Sequence, residues 1–279
     1  MNFFIRMFFE LKSLIQRGKS IYVLLWCIFF SPSIFGKKNL VLIISSDDQP
    51  VYRLHKESWR IYMNAFEGDF ESYFLQYDDS LKEEFYLDGD TLWLKGKESV
   101  CPGCLEKTVK AFQYFLNRKE EFDYVIRPNL SSFIILPRLK DFLKDKPKTQ
   151  FYGGYLVDHF ISGACFMIST DLMESMVVNK EYFMGRKDKN DDEIIGEFLL
   201  HKMFIQPFHH PNFQFIERCR PKKIALLIPK EIFHFRVKYP PNREAVETII
   251  VNDLLNIFYP TIMLKRNFSK KFPLKIDMR

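Results

Sequence analysis

Leu40 to Ile44 is an unbroken aliphatic run closed by Ser45-Ser46-Asp47-Asp48. A strand with one face in water alternates apolar and polar side chains. A run without alternation therefore belongs to a strand covered on both faces, as in a parallel sheet between helices. Polar residues at the carboxyl end of such a strand stand where open α/β sheets bind ligands. Asp47 and Asp48 are placed there. Their carboxylates either accept hydrogen bonds from a ribose or base, or form a solvated start to the loop.

The next segments keep to the same class. Val51 to Phe66 sets Leu54, Trp59, Tyr62, Met63 and Phe66 near helical spacing, and Phe70 to Gln76 is a second apolar strand. Phe85 to Asp88 and Thr91 to Leu94 flank Gly89-Asp90 as a hairpin-like pair. Leu105 to Leu116 reads as a helix, Tyr124 to Ile126 as a short buried strand, and Ser132 to Leu143 as a helix that starts or kinks at Pro137. Gln150 to Val157 and Ile161 to Ser169 read as strands, and Leu172 to Val178 and Asp191 to Phe204 as helices. Ile224 to Ile228 and Ile232 to Lys238 are late strands, and Asn242 to Phe258 closes as an amphipathic helix on Val246, Ile249, Ile250, Leu254 and Ile257. The order predicts a single α/β domain over 39–264 with a mixed, mainly parallel sheet flanked by helices. A basic tail over 265–279 follows it.

The chain's 279 residues are 47% hydrophobic and 27% charged, which supports a sizeable core and excludes a disordered chain. Its 41 Lys and Arg against 35 Asp and Glu give a net charge of +6, spread along the sequence. That pattern argues against a nucleic-acid partner. Five cysteines are too few for a disulfide scaffold. Cys101-Pro102-Gly103-Cys104 reads as a turn between two elements, with a local disulfide as the alternative.

Residues 1–38 read as a separate appendage. Ile21 to Phe30 is wholly apolar and follows Arg6, Lys12, Arg17 and Lys19. Extended to Phe35 it makes about 22 Å of helix, against the roughly 30 Å of a bilayer core. It is a short signal-anchor, a signal peptide cleaved near Ser31-Pro32-Ser33, or a helix packed on the domain or at an interface. The anchor reading implies a single-pass type II protein of the secretory pathway or a viral-factory membrane. The alternative location is cytoplasmic.

Three further groups carry chemistry. Lys107-Thr108 lies on a helix, and the strand Tyr124 to Ile126 empties into Arg127-Pro128-Asn129-Leu130-Ser131. One cation with several hydrogen-bond groups at a sheet edge suits a diphosphate. Asp191-Asp192-Glu193 opens a helix, where the dipole favours negative charge. That setting explains the three carboxylates by capping, by metal binding or by a pKa task. On a strand His234, Arg236 and Lys238 share one face and Phe233, Phe235 and Val237 the other, giving either a line of cations for a diphosphate or the polar face of an edge strand. No Gly-rich phosphate loop, nucleophile elbow or HExxH pattern is present.

The succession Lys107-Thr108, Tyr124 to Ser131, Ile161-Ser162-Gly163-Ala164 to Ser169, then Asp191-Asp192-Glu193-Ile194-Ile195-Gly196 resembles the β-1,3-galactosyltransferase-like glycosyltransferases. It looks closer still to a branch found in large DNA viruses and unicellular eukaryotes. The resemblance spans about residues 39–260 and implies a GT-A fold, one domain that binds a nucleotide-sugar donor. By position it makes Asp192 the general base, with Asp191 beside it, and puts Gly163 and Ala164 in the sugar or acceptor cleft. Donor and diphosphate contacts are then expected from Asp47, Asp48, Lys107, Arg127, Asn129, Ser131, His234, Arg236 and Lys238.

The implied activity is transfer of a hexose-type sugar from a nucleoside-diphosphate sugar to a hydroxyl of a glycan or glycoprotein, with inversion. Where the family has its Asp-x-Asp metal motif, this chain has Asn129-Leu130-Ser131. Mn2+ and Mg2+ prefer carboxylate oxygens. The departure implies either a transferase that neutralises the diphosphate with Arg127 and the His234/Arg236/Lys238 face, or a degenerate GT-A domain that binds a glycan or partner.

Overall fold

The computed structural model describes residues 37–211, 213–216, 228–239 and 242–271, with backbone alone for 214–216 and 267–271. Of the expected membrane-related segment over 1–38, residues 1–36 lie outside them and Lys38 already belongs to the first strand, and most of the expected strand Ile224 to Ile228 also lies outside. No helix among the described residues is long and apolar enough to cross a membrane. Lys38–Arg279 forms one compact unit.

The unit is built on β1 (Lys38–Ile44), β2 (Phe70–Asp78), β3 (Phe85–Asp88), β4 (Thr91–Lys95), β5 (Phe122–Pro128), β7 (Tyr152–Val157), β8 (Phe160–Ser169) and β9 (Phe208–His209). They form one sheet in the order β3-β4-β2-β1-β5-β8-β7-β9. β1 runs parallel to both β2 and β5, and β2 to β4, while β8 runs antiparallel to β5 and β7. The sheet is therefore mixed with a parallel centre, as expected.

The aliphatic run in β1 has a direct cause. Leu40, Leu42 and Ile44 enter one hydrophobic core, and Val41 and Ile43 enter a second on the other face. Each such side chain contributes roughly 1.5–3 kcal/mol by leaving water. On the first face α2 (Gly103–Phe115) contributes Leu105, Val109 and Phe112. On the second, α1 (Pro50–Tyr62) contributes Trp59 and Tyr62, and Tyr62 stacks on Tyr259 at 4.7 Å. Asn190 precedes the short helix α5 (Asp191–Glu197), and α4 (Thr170–Val178) follows β8 directly.

Three expectations need correction. Ser132 to Leu143 is not one helix: Ser132–Ile134 is strand β6, and helix α3 begins at Leu136 and ends at Leu143. Phe133 and Ile134 are needed in the second core, which a strand supplies by pairing with β11 (His234–Val237). A small sheet, β10 (Phe213–Ile216), β11 and β6, results. The helix from Asp191 gives way at Phe198 to a π turn ending at Lys202, and Phe204 has a left-handed φ of 58°. Helix α6 (Arg243–Phe258) buries Glu247 and Asp253 with Ile250, Val251, Leu254 and Leu255, and leaves Ile249 exposed. Helix α7 (Pro260–Lys271) follows it. Cys101 and Cys104 stay free thiols at a turn into α2.

Candidate active site

The carboxyl ends of β1 and β5 meet the first half of β8 at one point. Ile44 bridges Asn129 in parallel, the Leu130 N–H donates to the Ile44 carbonyl at 3.0 Å, and the Asn129 N–H donates to the Ala164 carbonyl at 2.9 Å. Arg127 ends in this junction and is wholly buried. A buried charge persists only when paired and hydrogen-bonded, and Nε and Nη1 are hydrogen-bonded while Nη2 has a charge partner without a hydrogen bond. Nε donates to Thr108 Oγ1 at 3.2 Å, and Nη1 donates to Asn129 Oδ1 at 3.2 Å and to the Gly163 carbonyl at 2.7 Å. Nη2 pairs with the Asp191 carboxylate. Burial lowers the Arg127 pKa, opposed by Cys104 and Asp192.

Asp191, Asp192 and Glu193 form the first turn of α5, where unpaired N–H groups favour carboxylates. Asp192 is half-buried. Its Oδ2 accepts the Gly163 N–H at 2.7 Å and its Oδ1 accepts the Glu193 N–H at 3.1 Å. Of the expected site residues, Arg127, Asn129, Gly163, Ala164, Asp191 and Asp192 thus come together around one junction.

The chain is similar in fold to solved glycosyltransferases. One is a glycosyltransferase involved in glycosylation of the major capsid of PBCV-1, at a TM-score of 0.46 and 10% identity, covering 77% of this chain and 99% of that one. Another is a Drosophila β-1,4-galactosyltransferase 7 variant in complex with manganese, UDP-Gal and xylobiose, at a TM-score of 0.38 and 13% identity, covering 63% and 66%. No protein-family model and no curated protein sequence matches the chain. Both scores are low, so the chemistry of the site rests on this chain's own residues.

The remaining expected residues stand at the rim or in struts. Asp47 is exposed, with Lys56 Nζ at 2.7 Å and Gln76 Nε2 at 2.5 Å on its carboxylate. Burial raises its pKa, but those two bonds outweigh it and leave Asp47 below the usual carboxylate range. Asp48 is exposed. Lys107 is no free cation: it is 2% exposed, donates to the Ser45 carbonyl at 2.6 Å and pairs with Glu98 at 2.6 Å, tying α2 to the end of β1. Ser131 is buried, and its carbonyl accepts the Val237 N–H at 2.9 Å.

Strand β11 has the two faces its sequence indicates, with Phe235 and Val237 in the core. The expected row of three cations does not form on the other face. His234 is buried beside Ser132 Oγ at 3.0 Å from Nε2, and burial holds its pKa well below the ordinary histidine value. It is therefore neutral. Lys238 lies beyond the strand end and is exposed. Arg236 remains as the charged group within the strand on that face.

The Asp-x-Asp position does not fit Mn2+ or Mg2+. The Asn129 amide oxygen is taken by Arg127, Leu130 is 4% exposed in the core, and no carboxylate is there. Elsewhere among the described residues, ligand atoms of His159, Glu193 and Glu197 lie within 4.8 Å of one another. Lys189 pairs with both glutamates, and Arg186 with Glu197 at 3.5 Å.

One group escaped sequence reasoning. His55 Nε2 lies 2.7 Å from Glu247 Oε2, both buried, and Glu247 Oε1 also accepts from Arg243 Nε and the Tyr239 N–H, each at 2.8 Å. A signal existed. Glu247 falls three positions before Ile250 and seven before Leu254, on the apolar face of α6, where a carboxylate needs partners.

Proposed function

We propose that this domain is a glycosyltransferase that moves a hexose-type sugar from a nucleoside-diphosphate sugar to a hydroxyl of a glycan or glycoprotein. The observation that carries the reading is the junction of Arg127, Gly163 and Asp192 at the carboxyl ends of β1 and β5. It holds a carboxylate, half-buried and oriented by two N–H groups, beside a buried cation.

Inverting transfer needs a base for the acceptor proton on the face opposite the departing diphosphate. The acceptor oxygen bonds to the anomeric carbon as the bond from that carbon to the diphosphate breaks. The bonding pair leaves with the diphosphate, and the acceptor proton passes to Asp192. Positive charge must stand where the diphosphate's charge grows, and no step runs through a metal.

A second reading, a degenerate domain that binds a glycan or partner, draws on two features. The Asp-x-Asp position lacks carboxylates, and both oxygens of Asp192 already accept N–H donors. The test is nucleoside-diphosphate release by the full chain from UDP- and GDP-sugars, with and without mixed glycan acceptors, beside Asp192→Asn. Release by the parent and its loss in the variant are expected. Undiminished release by the variant removes Asp192 from the role, and a silent parent favours the second reading.

A further inference from the structure

The misfit at the metal position raises the question of what meets a ligand's negative charge. The position of Arg236 answers it. Its Cα pairs with Ser132, three residues beyond Asn129, so the strand that carries it lies at the carboxyl end of β5. Its side chain shares a face with His234, whose ring meets Ser132 Oγ, and that hydroxyl donates to the Ala164 carbonyl at 2.7 Å. This is the face turned toward the Arg127 junction.

The guanidinium is left without the partners its neighbours have. Nη1 is cut off from solvent, and among the described residues nothing accepts its hydrogen. The rest of the residue keeps partial exposure, so a solute can reach it. Burial, then the nearby Arg243, lower the pKa to about 10, with Glu247 and Tyr52 opposing and Arg127 adding to the decrease. It is still charged at neutral pH. The acid acting on it, Glu247, is spent on His55, Arg243 and the Tyr239 N–H. A buried donor without an acceptor is costly, more so when charged, and such a feature suits a ligand that supplies the acceptor.

We infer that Arg236 is a diphosphate-binding group that stands in for the metal, gripping phosphate oxygens with a free guanidinium edge beside Arg243 and Arg127. The inference rests on the transferase reading only for the ligand's identity as a nucleoside diphosphate; the anion site itself does not. Arginine suits the task because its planar fork meets two phosphate oxygens at once. An uncompensated buried charge also predicts that its removal does not harm the empty protein.

The experiment is thermal melting and calorimetry of the full chain in EDTA with inorganic pyrophosphate, UDP and GDP. The parent is expected to be stabilised by pyrophosphate and more strongly by a nucleoside diphosphate. Arg236→Leu is expected to melt no lower than the parent when empty and to bind pyrophosphate roughly ten- to hundredfold more weakly. Arg236→Lys should fall between them, because it keeps the charge and loses the fork. If the leucine variant does not fold, Arg236→Gln is read in its place, with the same loss of binding expected.

No stabilisation of the parent by any of the three probes in EDTA would overturn the inference, as would a leucine or glutamine variant that binds them undiminished. Pyrophosphate binding with no sugar release from any donor would leave this site standing and sink the transferase reading. Sugar release that needs manganese and survives Arg236→Leu would do the reverse.

Discussion

Asp192 Oδ2 sits 2.7 Å from the Gly163 nitrogen, and it also occupies the space that a β-carbon at residue 163 would need. A Cβ there would meet the carboxylate at 3.1–3.2 Å. Glycine at this position lets α5 approach β8 closely enough for the backbone to aim the carboxylate. Gly163→Ala should push Asp192 away by a few tenths of an ångström, enough to lengthen that bond, while the buried framework stays folded. Positioning losses of this kind cost up to about a hundredfold in rate. A roughly tenfold or greater fall in sugar transfer is expected with a melting temperature within a few degrees of the parent. Unchanged transfer would show that the Gly163–Asp192 contact does not position the base.

Asp191 neutralises a guanidinium that is wholly buried, while its own side chain is 20% exposed. The two halves of the pair are therefore unequal. Asp191→Asn strands the buried charge and should destabilise the fold by about 3 kcal/mol. Combining it with Arg127→Met removes the stranded charge, and the double variant should melt higher than Asp191→Asn alone. Urea titrations of the parent, the two single variants and the double variant would decide this. A double variant no more stable than the sum of the singles would mean that the hydrogen bonds to Thr108 and Asn129, rather than the charge pair, hold Arg127 in place.

The parts of this arrangement that depend on local pattern were legible in the sequence. The run Leu40 to Ile44 dictates a strand with two covered faces, and Phe235 and Val237 turn to the core as the alternation in β11 requires. The clustering of Arg127, Gly163 and Asp192 followed from the family resemblance and not from spacing. Charge state was not legible, because burial is a tertiary property. His234 and Lys107 look like cations in the chain, yet one is neutral in a packed face and the other is spent on Glu98 and Ser45. Ser132 to Leu143 misled for a related reason: its first residues pair with β11, a partner about a hundred positions away.

Gly196, at the end of the acidic motif, has a packing role. A Cβ there would lie 2.3 Å from the Phe160 Cβ and 3.2 Å from its Cα. Neither atom lies at the far end of a flexible side chain, so α5 itself would have to move off β8. Gly196→Ala is expected to cost about 1–3 kcal/mol, as overpacking does, and to impair transfer by shifting Asp192 with its helix. A variant of parental stability would mean that α5 can slide without loss, and Gly196 would then need another explanation.

Three buried histidines set the acid limit of the fold. Burial lowers the pKa of His55, His234 and His210 from the ordinary 6.5, the last to about 3. The groups acting on them are Glu247, Arg243 and Arg236 for His55, His209 for His210, and His210 and Arg236 for His234. A histidine whose folded pKa is depressed binds its proton only in the unfolded chain. The histidines' contribution to stability is thus complete above about pH 6.5 and falls below it, for His210 by about 1.4 kcal/mol per pH unit once the unfolded form is fully protonated. Asp47 and Glu247, whose pKa values are also lowered, start from 3.8 and 4.5 and add their losses only at lower pH. The window from pH 6.5 to about 5 therefore reports the histidines. Neither ring nitrogen of His210 has a partner among the described residues, and the ring packs against Phe142 and Phe233 at centroid distances of 5.5 and 4.8 Å. His210→Phe should leave the melting temperature at pH 8 intact or raised, and should flatten the slope between pH 6.5 and 5. A melting temperature that is flat from pH 8 to pH 5 in the parent protein would contradict the neutral, buried state of all three.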